Sequence, residues 1–409
     1  MNYRSILAAL AATVALPVNA TDLEVTHWWT SGGEAAAVAV FASAFDASGN
    51  TWVDGAIAGG SGSAVPVIVS RIIGGDPMGA TMMNTGRDAD ELIEAGLMLD
   101  LTELAEAEGW ADVINPPSLF ENCIRDGHVY CVPVNIHSWQ WIWLNNGVYT
   151  DNGMEVPSNW AEFVAAAPAL RDAGIVPLAM GQKNWHVNGA FGVISVALGG
   201  LDWFDSVNVD RDAEVVNSDL SKSIWQAFAD ARELSVGSNV TAWNEATNLV
   251  ITGKAGGQIM GDWAQGEFAA AGQVAGVDYT CLPGLGANEV ISTGGDSFYF
   301  PKNDDPEVEA AQLVLASLLI SKEVQVAFNL AKGSLPVRGD VDLSAANDCM
   351  KKGLEILAAG NILPDGNQLW TPGDQAAFDE LAVEFWNDPS ISAEEGHARW
   401  ASIIENAEE

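Results

Sequence analysis

Leu23, Val25 and His27 alternate with polar residues, a strand pattern that ends in the doublet Trp28-Trp29. Directly after it, Val38, Phe41, Ala42 and Phe45 recur at helical spacing. Ser31 and Glu34, three residues apart, form the capping box that opens that helix. The run Gly59-Gly60-Ser61-Gly62 breaks the pattern before a second helical stretch, Val65 to Ile73. Val129 to Val134 reads as a strand entered from a tight turn at Asp126-Gly127. Asn159 caps a helix running to about Arg171, and Glu307 to Leu330 reads as one helix after Pro306. Strands therefore alternate with helices, which predicts an α/β fold. Neither an internal repeat nor a low-complexity linker marks a boundary, so domains that exchange strands are expected.

The length of 409 residues suits two globular domains or one large one. Charge changes the picture more. Lys and Arg number 17 against 55 Asp and Glu, a formal net charge of -38. Such a surface repels phosphate backbones and anionic headgroups, so nucleic acid and acidic lipid are poor partners. The first 20 residues read as a signal peptide: Arg4, an apolar stretch from Ile6 to Leu16, then the small-x-small pattern Val18-Asn19-Ala20. Cleavage is expected after Ala20, without a lipid anchor because no cysteine follows. Later runs such as Leu313 to Ile320 are too short to span a bilayer. An exported, soluble protein is the expectation.

Export bears on the four cysteines, since an oxidising compartment favours two disulfides. The Asp126-Gly127 turn sets Cys123 and Cys131 on opposing strands, which leaves Cys281 with Cys349. Candidate catalytic chemistry is mostly missing. G-x-S-x-G, H-E-x-x-H and Walker patterns are not found, and His27, His128, His137, His186 and His397 are scattered. Asp210, Asp212 and Glu214 lack the glycine of a calcium loop. Neither a cofactor nor a metal is called for. The tryptophans say more, 16 of them against 5 tyrosines. Trp28-Trp29, Trp243 and Trp263 sit beside small or polar residues, where an indole can stack on the C–H face of a sugar ring.

With those residues in view, the chain resembles the extracellular sugar-binding proteins of bacterial ABC importers, in particular the glucose/mannose-binding branch. The resemblance runs from His27-Trp28-Trp29-Thr30-Ser31-Gly32-Gly33-Glu34 through Val132-Pro133-Val134-Asn135-Ile136-His137 and Gln258-Ile259-Met260-Gly261-Asp262-Trp263-Ala264. It continues through Gly295-Asp296-Ser297 to Lys332-Gly333-Ser334-Leu335-Pro336-Val337-Arg338. It implies a two-lobed periplasmic-binding-protein fold with crossover segments and a central ligand cleft. The first lobe would hold residues 21-135 and about 296-345, the second about 136-295 and 346-409. A sugar would bind between the lobes and pass to ABC permease subunits in the inner membrane, and the protein would act as a monomer and not an enzyme.

By that resemblance Trp28 and Trp29 line the pocket, Glu34 reaches a hydroxyl, and Trp243 and Trp263 stack from the second lobe. Asp296 and Lys332 make charge-assisted hydrogen bonds. His137 sits near the crossover, with a structural role equally open, as is the part of Trp185. Two positions depart from the branch. Asn84 stands where relatives commonly carry a basic residue, and Trp370 stands near the place of a histidine. Fewer fixed donors and one more indole, able to stack a second ring or to narrow the site, imply a best ligand other than free mannose: a glucose-like monosaccharide or derivative, or a disaccharide. A secreted glycosidase or lyase, or a sensor presenting its closed form to a receptor, would use a similar cleft.

Overall fold

The computed structural model describes residues 20–363 and 369–407. The signal-peptide reading therefore lies outside the described residues except at Ala20, as do Asn367 and Gln368 of the block around Trp370. Nine strands build two main sheets: β1 (Asp22–His27), β2 (Thr51–Ala56), β3 (Ala80–Asn84), β4 (Cys131–Pro133), β5 (Trp141–Asn145), β6 (Val176–Leu178), β7 (Ala255–Ile259), β8 (Tyr279–Pro283) and β9 (Asp296–Tyr299).

The first sheet has the order β2-β1-β3-β9-β4 and the second β8-β5-β7-β6. β1 to β3 are parallel, as helical crossovers require, whereas β9 runs antiparallel between β3 and β4. β9 comes after all four strands of the second sheet in sequence, so the chain returns to complete the first. That return places Asp296 opposite Asn84 at the end of β3. The fold is two-lobed, with the helix Pro306–Ile320 packed against β1 and the helix Gly32–Ala47 against β2.

Local chemistry explains several helix starts. Ser31 accepts the Glu34 N–H, and Glu34 reaches back to the cap, as the capping box predicts for the helix Gly32–Ala47. Asn159 accepts the Glu162 N–H at 3.0 Å and starts Trp160–Asp172. The predicted helix at Val65 begins earlier, at Ser61. The single helix expected from Glu307 to Leu330 is in fact two, Pro306–Ile320 and Lys322–Lys332, bent by 68°. Ser321 is the cause, with an extended backbone (φ -64°, ψ 149°) between them. The bend turns the second helix toward the lobe junction and delivers Lys332 at its end. Helix Asn184–Asn208 is long and apolar, but Gly200 (φ 80°, ψ 176°) breaks it, and its buried residues Val193, Ile194 and Ala197 join the second-lobe core.

Two disulfides form, Cys123–Cys131 and Cys281–Cys349. The first closes a short hairpin, with Ile124 opposite Val129, whose turn residues Asp126 and Gly127 both have positive φ. The strand expected over Val129 to Val134 is split there, since His128–Val129 serves this hairpin and only Cys131–Pro133 joins the sheet. The second bridge ties β8 to the helix Asp348–Ala359 across 68 residues of sequence. Loop closure predicts about 4 kcal/mol for the long bridge and about 2.5 kcal/mol for the short one. Urea denaturation of the two double-serine variants should therefore find Cys281→Ser/Cys349→Ser the less stable. The reverse order would show that native strain, not chain entropy, sets their value.

Candidate functional site

β1 ends at the lobe junction, and His27 orders the next turn. Its Nε2 lies 2.8 Å from Asp54 Oδ1, while Nδ1 accepts the Trp29 N–H at 3.2 Å. Side-chain alternation then sends the two indoles opposite ways. Trp28 is half-buried at the edge of the first core. Trp29 points inward, against Phe41, Phe298 and Phe328 at 5.3 to 6.2 Å between ring centres. Trp29, expected to line the pocket, is 2% exposed among these rings, and the Lys332 ammonium sits 5.4 Å from its ring centre.

The polar centre of the site is buried. Lys332 Nζ lies 3.3 Å from Glu34 Oε1, and Glu34 Oε2 takes the N–H groups of Thr30 and Ser31. Glu34 thus serves its helix cap and the cluster together. Asp296, 1% exposed, accepts from Asn135 Nδ2 at 2.9 Å and lies 3.2 Å from His137 Nδ1. Burial pushes the Asp296 carboxyl up, but His137, Lys332 and Asn135 outweigh it, so its pKa lies below the ordinary value. For His137, burial lowers the pKa, and Asp296 and Asp262 outweigh that and raise it.

The second lobe contributes the end of β7 and the segment after it. Trp263 packs its ring 5.1 Å from His137 and edge-on to Trp139 at 4.9 Å. Trp185 meets Trp139 edge-on at 5.4 Å and Trp263 at 6.4 Å, so three indoles form one wall. Asp262 is buried beside them. Its Oδ2 accepts the Ser138 N–H at 2.9 Å, while Oδ1 finds no hydrogen-bond partner among the described residues. Burial pushes its pKa to about 7, offset only in part by His137, Ser138 and Lys332.

Lobe meets lobe at glycine. A Cβ on Gly33 would lie 2.4 Å from the Gly266 carbonyl carbon, so the helices Gly32–Ala47 and Ala264–Ala270 touch backbone to backbone. Glu267 Oε1 accepts the Gly33 N–H at 2.7 Å, and Gln265 donates to the Gly333 carbonyl at 3.1 Å. These contacts hold the two lobes together directly over the charged cluster.

Glu34, His137, Trp263, Asp296 and Lys332 come together as a group. Asn84 borders it through its pairing with Asp296, but its side chain donates to Asp88 Oδ2 at 2.9 Å. Trp243 is half-buried at the start of the helix Trp243–Ile251, its carbonyl bonded to Gln258. Trp370, expected to face the ligand, stands away from this cluster. It stands in the second-lobe core, edge-on to Phe378 at 4.8 Å, with Nε1 donating to Asn208 and the Arg211 guanidinium 4.9 Å over its ring. Sequence reasoning missed Asp262, Asn135 and Trp139. A carboxylate between Gly261 and Trp263, just after an apolar strand, was the available signal for Asp262.

Two α/β lobes with a buried, charged and indole-lined junction define a two-lobed binding protein. The sequence model of the bacterial extracellular solute-binding proteins matches residues 29–326, and the chain belongs to that family, whose members bind solutes and are not enzymes. A probable sugar-binding periplasmic protein of Rhizobium meliloti is 36% identical over 355 residues, 86% of this chain and 84% of that one. An ABC transporter extracellular-binding protein of Pyrococcus horikoshii is 28% identical, over 83% of this chain and 76% of that one. Among solved structures, a chitin oligosaccharide binding protein superposes with a TM-score of 0.74 at 16% identity, covering 94% and 98% of the two chains.

This geometry leads to two measurable outcomes. As pH rises from the ordinary 3.8 of an aspartate, the unfolded chain ionises Asp262 while the folded chain keeps it protonated until about 7. Its destabilising contribution therefore grows across that window and is complete above it. Urea titrations at pH 5 and pH 8 should show wild type losing stability relative to Asp262→Asn as pH rises; parallel behaviour would remove burial of Asp262 as a cost. Separately, Gly33→Val should keep the lobes apart, leaving the scattering radius large at saturating solute and weakening binding at least tenfold, about 1.4 kcal/mol. A Gly33→Val protein as compact as wild type would refute the glycine contact as the closing surface.

Proposed function

We propose that this chain is the periplasmic receptor of a small, uncharged sugar with a glucose-like unit, which it hands to the membrane subunits of an ABC importer. The observation that carries the reading is the buried cluster of Glu34, Asp296, Lys332 and His137 beside the indole wall. Carboxylates and cations are interleaved there, so donors and acceptors are both on offer. That suits hydroxyls, each of which donates and accepts, better than an anion, which would need a surplus of donors. Trp263 and Trp139 supply faces for ring C–H groups, with Trp28 and Trp243 at the margin. The names of the relatives agree with this reading and with a periplasmic location. The lobes would divide near residues 135, 296 and 345, and a monomer suffices because both walls come from one chain.

Delivery depends on closure. A solute that touches both lobes favours the closed state by its differential affinity, and the membrane subunits can then distinguish loaded from empty receptor. Calorimetry on the full mature chain against common monosaccharides should find a micromolar ligand, about -8 kcal/mol, that is not mannose. Asp296→Asn should weaken it at least tenfold, and the sugar should be recovered unchanged. Heat from no sugar, or mannose as the tightest ligand, would refute the corresponding part of the reading.

A further inference from the structure

Where the chain passes between its two main sheets, the structure leaves a cavity of about 10 Å³, room for one water molecule and nothing larger. Ser138 reaches it from the passage between β4 and β5, and Ile291 from the passage between β8 and β9. Gly333 and Leu335 reach it from the stretch that joins the helices Lys322–Lys332 and Asp348–Ala359. Ile136, also on the lining, exchanges two backbone hydrogen bonds with Leu335, at 2.7 and 3.0 Å. All three passages therefore share one small void.

Three polar side chains on this lining each have one atom to spare. Trp141 Nε1, Asp262 Oδ1 and Gln265 Oε1 are buried and find no hydrogen-bond partner among the described residues. Their residues are 3%, 5% and 1% exposed. The remaining polar atoms of the two acceptor side chains are engaged, Asp262 Oδ2 by the Ser138 N–H and Gln265 Nε2 by the Gly333 carbonyl, so neither side chain is free to turn. Buried polar groups without partners are costly. One donor and two acceptors are the complement of a water that accepts once and donates twice, and buried waters typically make about three such bonds. A cation would face the indole N–H, and an anion would face the Asp262 carboxylate. When Asp262 takes up a proton, as its pKa of about 7 provides, the water accepts from that carboxyl and still donates to Gln265. Neither charge state leaves it without partners.

We propose that this cavity binds one ordered water, held by Trp141, Asp262 and Gln265, and that this water is the pivot of the lobe hinge. A direct bond between side chains fixes one geometry, whereas a bridging water serves a range of them. The three passages can then swing as the lobes open while the buried polar atoms stay bonded. The inference needs no particular ligand, so it stands or falls independently of the sugar proposed above.

The test is nitrogen-edited NMR on the full mature chain, labelled in its tryptophan indoles and without added solute. Trp141→Phe deletes one indole signal and so identifies it. In wild type the Trp141 Nε1–H should show a cross-peak at the water frequency, with the sign of a long-lived bound water. Gln265→Met removes an acceptor and should weaken that cross-peak at least about fivefold, the order of one lost hydrogen bond. Amide hydrogen exchange then tests the pivot. Trp141→Phe should speed exchange at Ile136 and Leu335 by about fivefold or more and leave the amides of β1 within about twofold. A Trp141 indole without a water cross-peak, or a cross-peak untouched by Gln265→Met, refutes the water. Unchanged exchange at Ile136 and Leu335, or the same acceleration in β1, refutes its role at the hinge. Circular-dichroism melting checks that both variants fold. Independently of any variant, a crystal structure of the mature chain should show one density peak within about 3.2 Å of all three atoms, and a site without that peak overturns the proposal.

Discussion

A carboxylate sealed from water at the lobe junction sets the terms for everything around it. Asp296 is 1% exposed, and an ion so placed persists only if charges and hydrogen bonds replace its hydration. Asn135 donates to it from the end of the crossover, His137 stands beside it, and Lys332 is within electrostatic reach. These partners come from separate parts of the chain, Asn135 and His137 from the crossover and Lys332 from a helix end some 195 residues later. The first-lobe sheet must therefore receive β9 late, the Ser321 bend must aim the Lys322–Lys332 helix at the junction, and the first helix must bring Glu34 to the lysine. The fold is in this sense an arrangement for holding one buried charge network in register.

The network also shapes the dynamics. Lys332 and Glu34 sit under the contact between Gly33 and Gly266, so charge balance and lobe closure share one small region. Closing takes polar groups out of bulk water, and Asp262 Oδ1 finds no partner among the described residues. A solute or an ordered water that satisfies such groups stabilises the closed form, and without it the closed form carries their cost. Recognition and closure are therefore one equilibrium.

Tryptophan was the least readable residue type. Trp29 and Trp263 both follow a strand end by a few residues, yet one packs among phenylalanines and the other stands over His137. Local sequence carries the strand and its alternation, but the partner face decides which indole is sheltered. Phe298 and Phe328, which shelter Trp29, arrive some 270 and 300 residues later in the chain. Trp370 shows the same limit from the other direction, since its braces Asn208 and Arg211 come from a helix end and loop that no local pattern connects to it.

What the sequence by itself determined was local or countable: the alternating β1, the Ser31–Glu34 capping box, the Asp126-Gly127 hairpin with its cysteines, and the α/β class. These need only neighbours within a few residues, or an even number of thiols in an oxidising compartment. The resemblance of the motif blocks pointed to Glu34, His137, Trp263, Asp296 and Lys332, which the fold brings near one another. Tertiary structure alone decided that the Glu307–Leu330 helix breaks at Ser321, that Trp29 turns inward, that Asp262 Oδ1 lacks a partner among the described residues and that Trp370 stands in the second-lobe core. Each of those depends on which distant backbone or ring closes over the residue, and burial is a property of the assembled chain, not of any stretch of it.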